Sequence, residues 1–594
     1  MMTDKQRTYG QFETPPEVAD LLLAFCMRQP SDRLLDPSCG TGAFLSRAAL
    51  MQQWLGPDVG SPDTLWGVEL DPEAVALAQK TLPDSHIIQR NFFDLDPWPD
   101  LFDAIIGNPP YTRAEWFGRL PETPDLVRQL SIFNGMKDAQ KPTGHLDRHV
   151  GLSRRAGLHA YFFVHGTDFL REGGRFGFVV PNSWLDVAYG ERLKQFLLDH
   201  YRILALIESN VERWFGEAKV NTCLVILERC SDATARATNQ VRLVRLRQSL
   251  RELIPANDDD AQRVALLKEL IPQLLTDRDI ENERFVVRIT CQRAIAAAEK
   301  WGVAIRAPAV YRHRSEDARL VPLGSWAMIH RGYTTGANAY FYLDNDTIED
   351  WGIEEHLRRP LLKSLRKVNK RIVTAAACEH QVLWIPPMSD LSGTAAARYI
   401  AWGEKQNLHR RRTCANRQPW YRLPEQDEAQ ILMPKGIWER HFVPLLTDDV
   451  LVDQQLYRVR FSRRIDPMVA AALLNSAWFA LQVELHGRVN FGEGVLWLAT
   501  YELEDLRLPD PRYLPAEQVA QLVEAYKPFM DRPVGTVHEA VTEPSWHAYN
   551  GVVFEILGFS AAEAGTVTEA LLERVATRCM KAGKKPTIVH NQEY

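Results

Sequence analysis

The strongest constraint on the fold is a rhythm running from about residue 33 to 228, where short apolar runs alternate with amphipathic helical stretches. Residues 33–36 read as a strand that runs into a glycine-bearing loop, followed by a helix from Ala43 to Trp54. A second strand at 65–69 leads into a helix at 72–81, and further strands are expected at 86–88, 102–106, 175–180, 203–207 and 222–227. Buried strands that alternate with helices specify an α/β fold with a mostly parallel sheet, here Rossmann-like. No helix separates the last two strands, so an antiparallel edge is expected there.

The rhythm stops near Glu228. Residues 240–300 read as helical and polar, with a break at Asp258-Asp259-Asp260. From Leu320 the texture is short strands, many Trp and Tyr, and arginine clusters; from about Pro515 it is helical, with a polar tail from Lys581. The 594 residues are too many for one hydrophobic core. The expected division is 1–235 (the α/β domain), 236–318 (a helical connector), 319–512 (a mixed α+β domain) and 513–594 (a C-terminal helical segment). The polar N-terminus has no apolar segment behind it, and no apolar stretch is long enough to span a bilayer. The eight cysteines are scattered without a Cys-x-x-Cys, so neither a disulfide framework nor a metal site is expected, and a reducing cytoplasm fits. A monomer is the default. The net charge of −6 gives no general pull toward nucleic acid, so any polyanion site must come from local clustering.

Two segments carry chemistry. Asp36-Pro37-Ser38-Cys39-Gly40-Thr41-Gly42 lies between a strand and a helix. Gly40 and Gly42 let a ligand approach the backbone, and the following helix aims its N-terminal N–H groups at it. Glu69 ends the next strand, where an acid commonly binds ribose hydroxyls. Asp94 lies beyond the third strand, where a carboxylate can accept from an adenine amino group. The second segment, Asn108-Pro109-Pro110-Tyr111, follows the strand at 102–106. The lone pair of an exocyclic amine on adenine is delocalised into the ring. Two acceptors, the Asn108 side-chain oxygen and the Pro109 carbonyl, favour the pyramidal nitrogen that attacks a sulfonium methyl. The prolines fix φ, and Tyr111 offers a ring for the base to stack on.

These residues resemble the N6-adenine DNA methyltransferases of the TaqI type, in which a target-recognition domain follows the catalytic domain. The resemblance begins at Phe12-Glu13-Thr14-Pro15-Pro16-Glu17-Val18-Ala19, covers most of residues 9–230, and continues more loosely through His330-Arg331-Gly332-Tyr333-Thr334-Thr335-Gly336-Ala337-Asn338 to about Leu508. It implies an adenine-specific, site-specific DNA methyltransferase using S-adenosyl-L-methionine on a flipped-out base in double-stranded DNA. Thr14 would contact the methionine part of the cofactor, Asp36 its amino group, Glu69 the ribose and Asp94 the adenine, with Pro37, Ser38, Gly40, Gly42 and Asn108 around it. Phe215, within 211–220, would pack on the flipped base opposite Tyr111 as the second half of an aromatic sandwich. The long stretch 112–157, with Arg148, Arg154 and Arg155, is expected to be a mobile loop near the DNA.

Two basic segments follow in the second half. Arg358, Arg359, Lys363, Arg366, Lys367, Lys370 and Arg371 form one; Lys405, Arg410, Arg411, Arg412, Arg417 and Arg422, interleaved with Trp402, Trp420 and Tyr421, form the other. Such clusters neutralise phosphates and reach base edges. A glutamine-N5 protein methyltransferase shares the Asn-Pro-Pro-Tyr motif but is much shorter; an RNA adenine methyltransferase is the nearer alternative. Asp199…Glu217-Ala218-Lys219 fits a loose nuclease pattern, read as chance. A cognate restriction endonuclease or defence-system proteins are the implied partners.

Overall fold

The computed structural model describes residues 12–55, 62–111, 151–152, 156–215, 220–255, 260–489 and 494–583. The expectations for Arg148, Arg154 and Arg155, for Glu217 and Lys219, and for Asp258 and Asp259 fall outside these. The chain divides into two compact units, 1–306 and 307–594.

The first unit is built on a ten-stranded sheet, in the order β3-β2-β1-β4-β5-β7-β6-β8-β10-β9. The first strands are β1 Leu34–Asp36, β2 Leu65–Glu69, β3 His86–Gln89, β4 Phe102–Gly107 and β5 Leu170–Pro181. They pair in parallel. The pairs Leu35↔Trp66 and Leu35↔Ile105 set the register of the central strands. β7 (Thr222–Arg229) is antiparallel to both β5 and β6 (Tyr201–Ser209). The antiparallel pair is therefore internal to the sheet and not its edge.

The sheet continues where a helical connector was expected. β8 (Gln240–Leu246) pairs in parallel with β6, and β10 (Phe285–Cys291) lies antiparallel to β8. The short β9 (Ile280–Glu281) closes the edge. The arginines of Gln-Val-Arg-Leu-Val-Arg-Leu disguise a strand, because every third residue is cationic and period two is lost. In the fold Arg245 donates to the Arg306 carbonyl at 3.2 Å, and Arg288 pairs with Glu281. Both faces carry apolar cores. One gathers Phe92, Phe162, Trp184 and Trp301; the other gathers Leu22, Phe25, Phe44, Ala48 and Leu270.

The second unit is mixed α+β. A five-stranded sheet contains Ala327–Arg331, Leu456–Phe461 and Ile431–Pro434, and a four-stranded sheet contains His380–Leu383 and Arg358–Leu362. The C-terminal helices, including Ala516–Met530, Pro544–Ile556 and Ala561–Lys581, belong to this unit. Asn550 Oδ1 accepts from the Ala477 N–H at 2.7 Å, and Arg578 pairs with the buried Glu484 at 2.6 Å. Arg314, which the expected connector included, is bonded to Glu563 here. Among the described residues no single helix is long and apolar enough to cross a membrane.

Candidate active site

Parallel strands end on one edge, and open α/β sheets place ligands at that carboxyl edge. Here β1 ends at Asp36, β2 at Glu69 and β4 at Gly107, directly before Asn108. Gly40 and Gly42 have φ of +54° and +90°, values other residues rarely adopt, and the space beside Gly40 is open. The Glu69 carboxylate shapes the loop by accepting from the N–H groups of Gly40, Leu70 and Asp71 at 2.7–2.9 Å. Asp36 is buried, and its Oδ1 accepts from the Ser38 N–H at 3.1 Å. A Cβ on Gly107 would come within 2.9 Å of that Oδ1, so only glycine fits there. Burial, with Glu69 nearby, pushes the Asp36 carboxyl up to about 8. Among the described residues no cation is paired with it. The Ser38 hydroxyl is also buried without a partner. A buried carboxyl with no cation beside it, next to an open glycine turn, suits a ligand whose ammonium and sulfonium would favour its ionised form.

The Asn-Pro-Pro-Tyr segment meets the N-terminal segment here. Asn108 Nδ2 donates to the Phe12 carbonyl at 3.1 Å and to Thr14 Oγ1 at 3.2 Å. A carbonyl can only accept, so the first bond fixes which side-chain atom is nitrogen. Asn108 Oδ1 is left buried with no partner among the described residues. Thr14 is itself buried, just before the helix Pro16–Cys26. The Tyr111 hydroxyl donates to the Val179 carbonyl of β5 at 3.3 Å, and burial raises its phenol pKa.

Phe12, Tyr111 and Phe215 form one aromatic cluster. Tyr111 and Phe215 have centroids 5.9 Å apart at 88°, and Phe12 lies 5.9 Å from Tyr111 and 6.5 Å from Phe215. The two rings of the expected sandwich are neighbours here but not parallel. A base held between two rings needs them parallel and about 7 Å apart, two stacking steps of about 3.4 Å. The pair is edge-to-face, with Phe12 as an unforeseen third member.

Asp94, the acid expected beyond the third strand, has an exposed side chain. The buried polar residue after β3 is Asn91, whose Oδ1 accepts from the Phe93 N–H at 3.1 Å and whose Nδ2 has no partner. Arg90, one residue earlier, donates to the Glu69 carbonyl at 3.0 Å, so Asn91 stands beside the end of β2. The apolar Phe-Phe run after Asn91 is the sequence signal that it is drawn inward.

The arginine clusters sort into struts and free cations. Arg358 donates from Nε to the Ile353 carbonyl, and Arg359 pairs with Asp449 and lies over Trp384. Arg371 is buried, bonded to the carbonyls of Phe529 and Arg532. Lys363 and Arg366 are exposed, as are Arg410 and Arg412; Arg411 is exposed but donates to the Gly336 carbonyl at 3.5 Å, and Lys367 is exposed but bonded to Glu379.

Comparison with known proteins accounts for both units. A family model for the RMKL-like methyltransferase domain matches residues 10–119, and that of the Eco57I restriction-modification methylases matches 81–215. The C-terminal domain of the type II methyltransferase M.Eco57I matches 302–534. The type II methyltransferase M.AccI of Acinetobacter calcoaceticus is 21% identical over 439 residues, 72% of this chain and 71% of its own. M.PaeR7I of Pseudomonas aeruginosa is 23% identical, over 87% of this chain and 88% of its own. Among solved structures, the type IIL restriction-modification enzyme MmeI in complex with DNA shares the fold with a TM-score of 0.55 at 14% identity, over 97% of this chain and 80% of that one. The fold is that of the class I S-adenosylmethionine-dependent methyltransferases, and S-adenosylmethionine is the methyl donor. With methyltransferase models matching in each unit and likeness to type II enzymes along most of the chain, it belongs to the restriction-modification DNA methyltransferase family.

Proposed function

We propose that the chain methylates the N6 amino group of an adenine flipped out of double-stranded DNA, at a fixed sequence, as the modification enzyme of a restriction-modification system in the cytoplasm. The observation that carries this reading is the state of Asn108: both amide hydrogens are committed to Phe12 and Thr14, and the oxygen is buried and unpaired. A preset acceptor of this kind suits a donor such as an exocyclic amine.

When bound, the cofactor supplies a sulfonium methyl, whose C–S bond breaks as the adenine nitrogen takes the carbon. The chain's residues prepare that nitrogen. Asn108 Oδ1 and the Pro109 carbonyl accept its two hydrogens and draw the lone pair out of the ring, and the proton lost after transfer needs no strong base. Asp36 receives the cofactor's ammonium and Glu69 its ribose. Asp94 is the candidate acceptor for the cofactor's adenine amino group, and Asn91, a donor at Nδ2, is a further candidate for an acceptor on the purine. Entry of the base would part Phe215 from Tyr111 and leave it against the Tyr111 ring. The exposed Lys363, Arg366, Arg410 and Arg411 suit backbone phosphates.

Methylation-aware sequencing of DNA from cells expressing the chain tests the proposal. N6-methyladenine in one fixed sequence context is expected. Methylation only at cytosine, or in RNA alone, would overturn it.

A further inference from the structure

The second unit contains a cleft of about 530 Å³ that the catalytic chemistry does not use. Three segments wall it: 331–334, 412–417 and 424–426, with Arg458 at its side. Its walls are braced by side chains that are themselves spent. The Tyr333 hydroxyl donates to the Pro424 carbonyl at 2.7 Å, Arg417 donates to the Thr335 carbonyl at 2.7 Å, and Arg458 donates to the Asp427 carbonyl at 2.6 Å. These two arginines are struts.

The groups left to face a ligand are different. Arg412 and Asn416 are exposed, and neither makes a side-chain hydrogen bond or ion pair among the described residues. Arg331 is exposed and steadied by Gln454 Oε1, 2.8 Å from its Nη2, which leaves other guanidinium hydrogens available. Glu425 is exposed in the same cleft.

That composition discriminates between two uses of a cationic cleft. A site for phosphate alone gains nothing from a carboxylate, which repels the anion. A site for base edges uses both signs: arginine donates twice to guanine O6 and N7, a carboxylate accepts from cytosine N4, and an amide pairs with adenine. We propose that this cleft is the sequence-reading site of the protein, with Arg412 and Arg331 reading guanine and Glu425 reading cytosine N4 in a G·C-containing word. The inference rests on the reading of the chain as a DNA enzyme, and names where its specificity resides.

The test is enrichment from a random-sequence duplex pool. The full-length chain is bound to the pool, and the retained duplexes are sequenced for the wild type, Arg412→Ala, Arg331→Ala and Glu425→Gln. The wild type is expected to enrich one word containing G·C pairs. Each variant should relax that word at one position, with about a ten- to hundredfold loss on the wild-type word. Two results would overturn the proposal: variants that bind every sequence more weakly with the word unchanged, which marks phosphate contacts, or a wild type that enriches no word. Because enrichment reads binding alone, a wild type that selects a word without methylating it would sink the proposed activity and leave the cleft assignment standing. Arg412 is exposed and its side chain is bonded to nothing among the described residues, so its replacement spares the fold; thermal melting and S-adenosylhomocysteine titration check this.

Discussion

A primary amide has two donor hydrogens and one acceptor oxygen, and at Asn108 both donors are used to aim the oxygen. Replacing Asn108 with Ala removes the acceptor, and kcat is expected to fall by at least about a hundredfold while cofactor affinity by calorimetry changes little. Thr14→Val removes only one of the two anchors. It should cost about 1 kcal/mol, or about fivefold in kcat. Asp36 gives a pH prediction. Its carboxyl titrates near 8 in the fold and near about 3.9 in the unfolded chain, so between those values the native state holds the extra proton. Stability of the cofactor-free protein should therefore fall as pH rises from about 4 to 8. A cationic ligand favours the ionised form, so cofactor binding at pH 7 should release a proton, and affinity should rise toward pH 8. Melting curves across pH and calorimetry in buffers of different ionisation enthalpy measure both effects. Asp36→Asn should flatten the first and abolish the second.

At the scale of elements, one carboxylate ties three helices together. Asp20, on Pro16–Cys26, is fully buried and accepts from Arg47 on Ala43–Leu55 at 2.6 and 2.8 Å and from Arg263 on Asp260–Leu274 at 2.8 Å. Asp20→Ala takes the shared carboxylate from Arg47 and from the buried Arg263, and denaturant unfolding should register a loss of about 3–5 kcal/mol. Activity should fall too, because this helix carries Phe12 and Thr14 at its entrance. Phe215→Ala should be milder than Asn108→Ala, about ten- to a hundredfold in transfer rate, since it loses stacking and not the acceptor. The strands and glycine turn around the site were legible because their apolar runs and φ-permissive residues are local signals. The orientation of Asp94 was not legible, because an acid after a strand looks alike whether it faces in or out. Its exposure, and the burial of Asn91 three residues earlier, depend on how Phe92 and Phe93 dock against Phe162.

At the scale of the whole molecule, the first unit ends at Arg306 and not at 235. A truncation at 235 would remove β8 and β10 and expose the apolar edge of β6, so it should aggregate. A chain ending at 306 should remain monodisperse by size-exclusion chromatography and bind S-adenosylhomocysteine. Its C-terminal Arg306 is bonded to Glu208 and Asp186 inside the same unit. The C-terminal helices are likewise no appendage, because Glu484 is fully buried and without Arg578 would lose its guanidinium partner, keeping only His441 at 2.7 Å.

The sequence by itself determined the α/β core, the glycine turn with its acids, and the Asn-Pro-Pro-Tyr segment, since periodicity and backbone-permissive residues act over a few neighbours. Only the tertiary structure decided that arginine-rich segments become sheet strands, that Asn108 points a bare oxygen inward, and which arginines are struts. Those outcomes follow from pairing between residues far apart in the chain. A guanidinium spent on a distant carbonyl has the same local sequence as one left free.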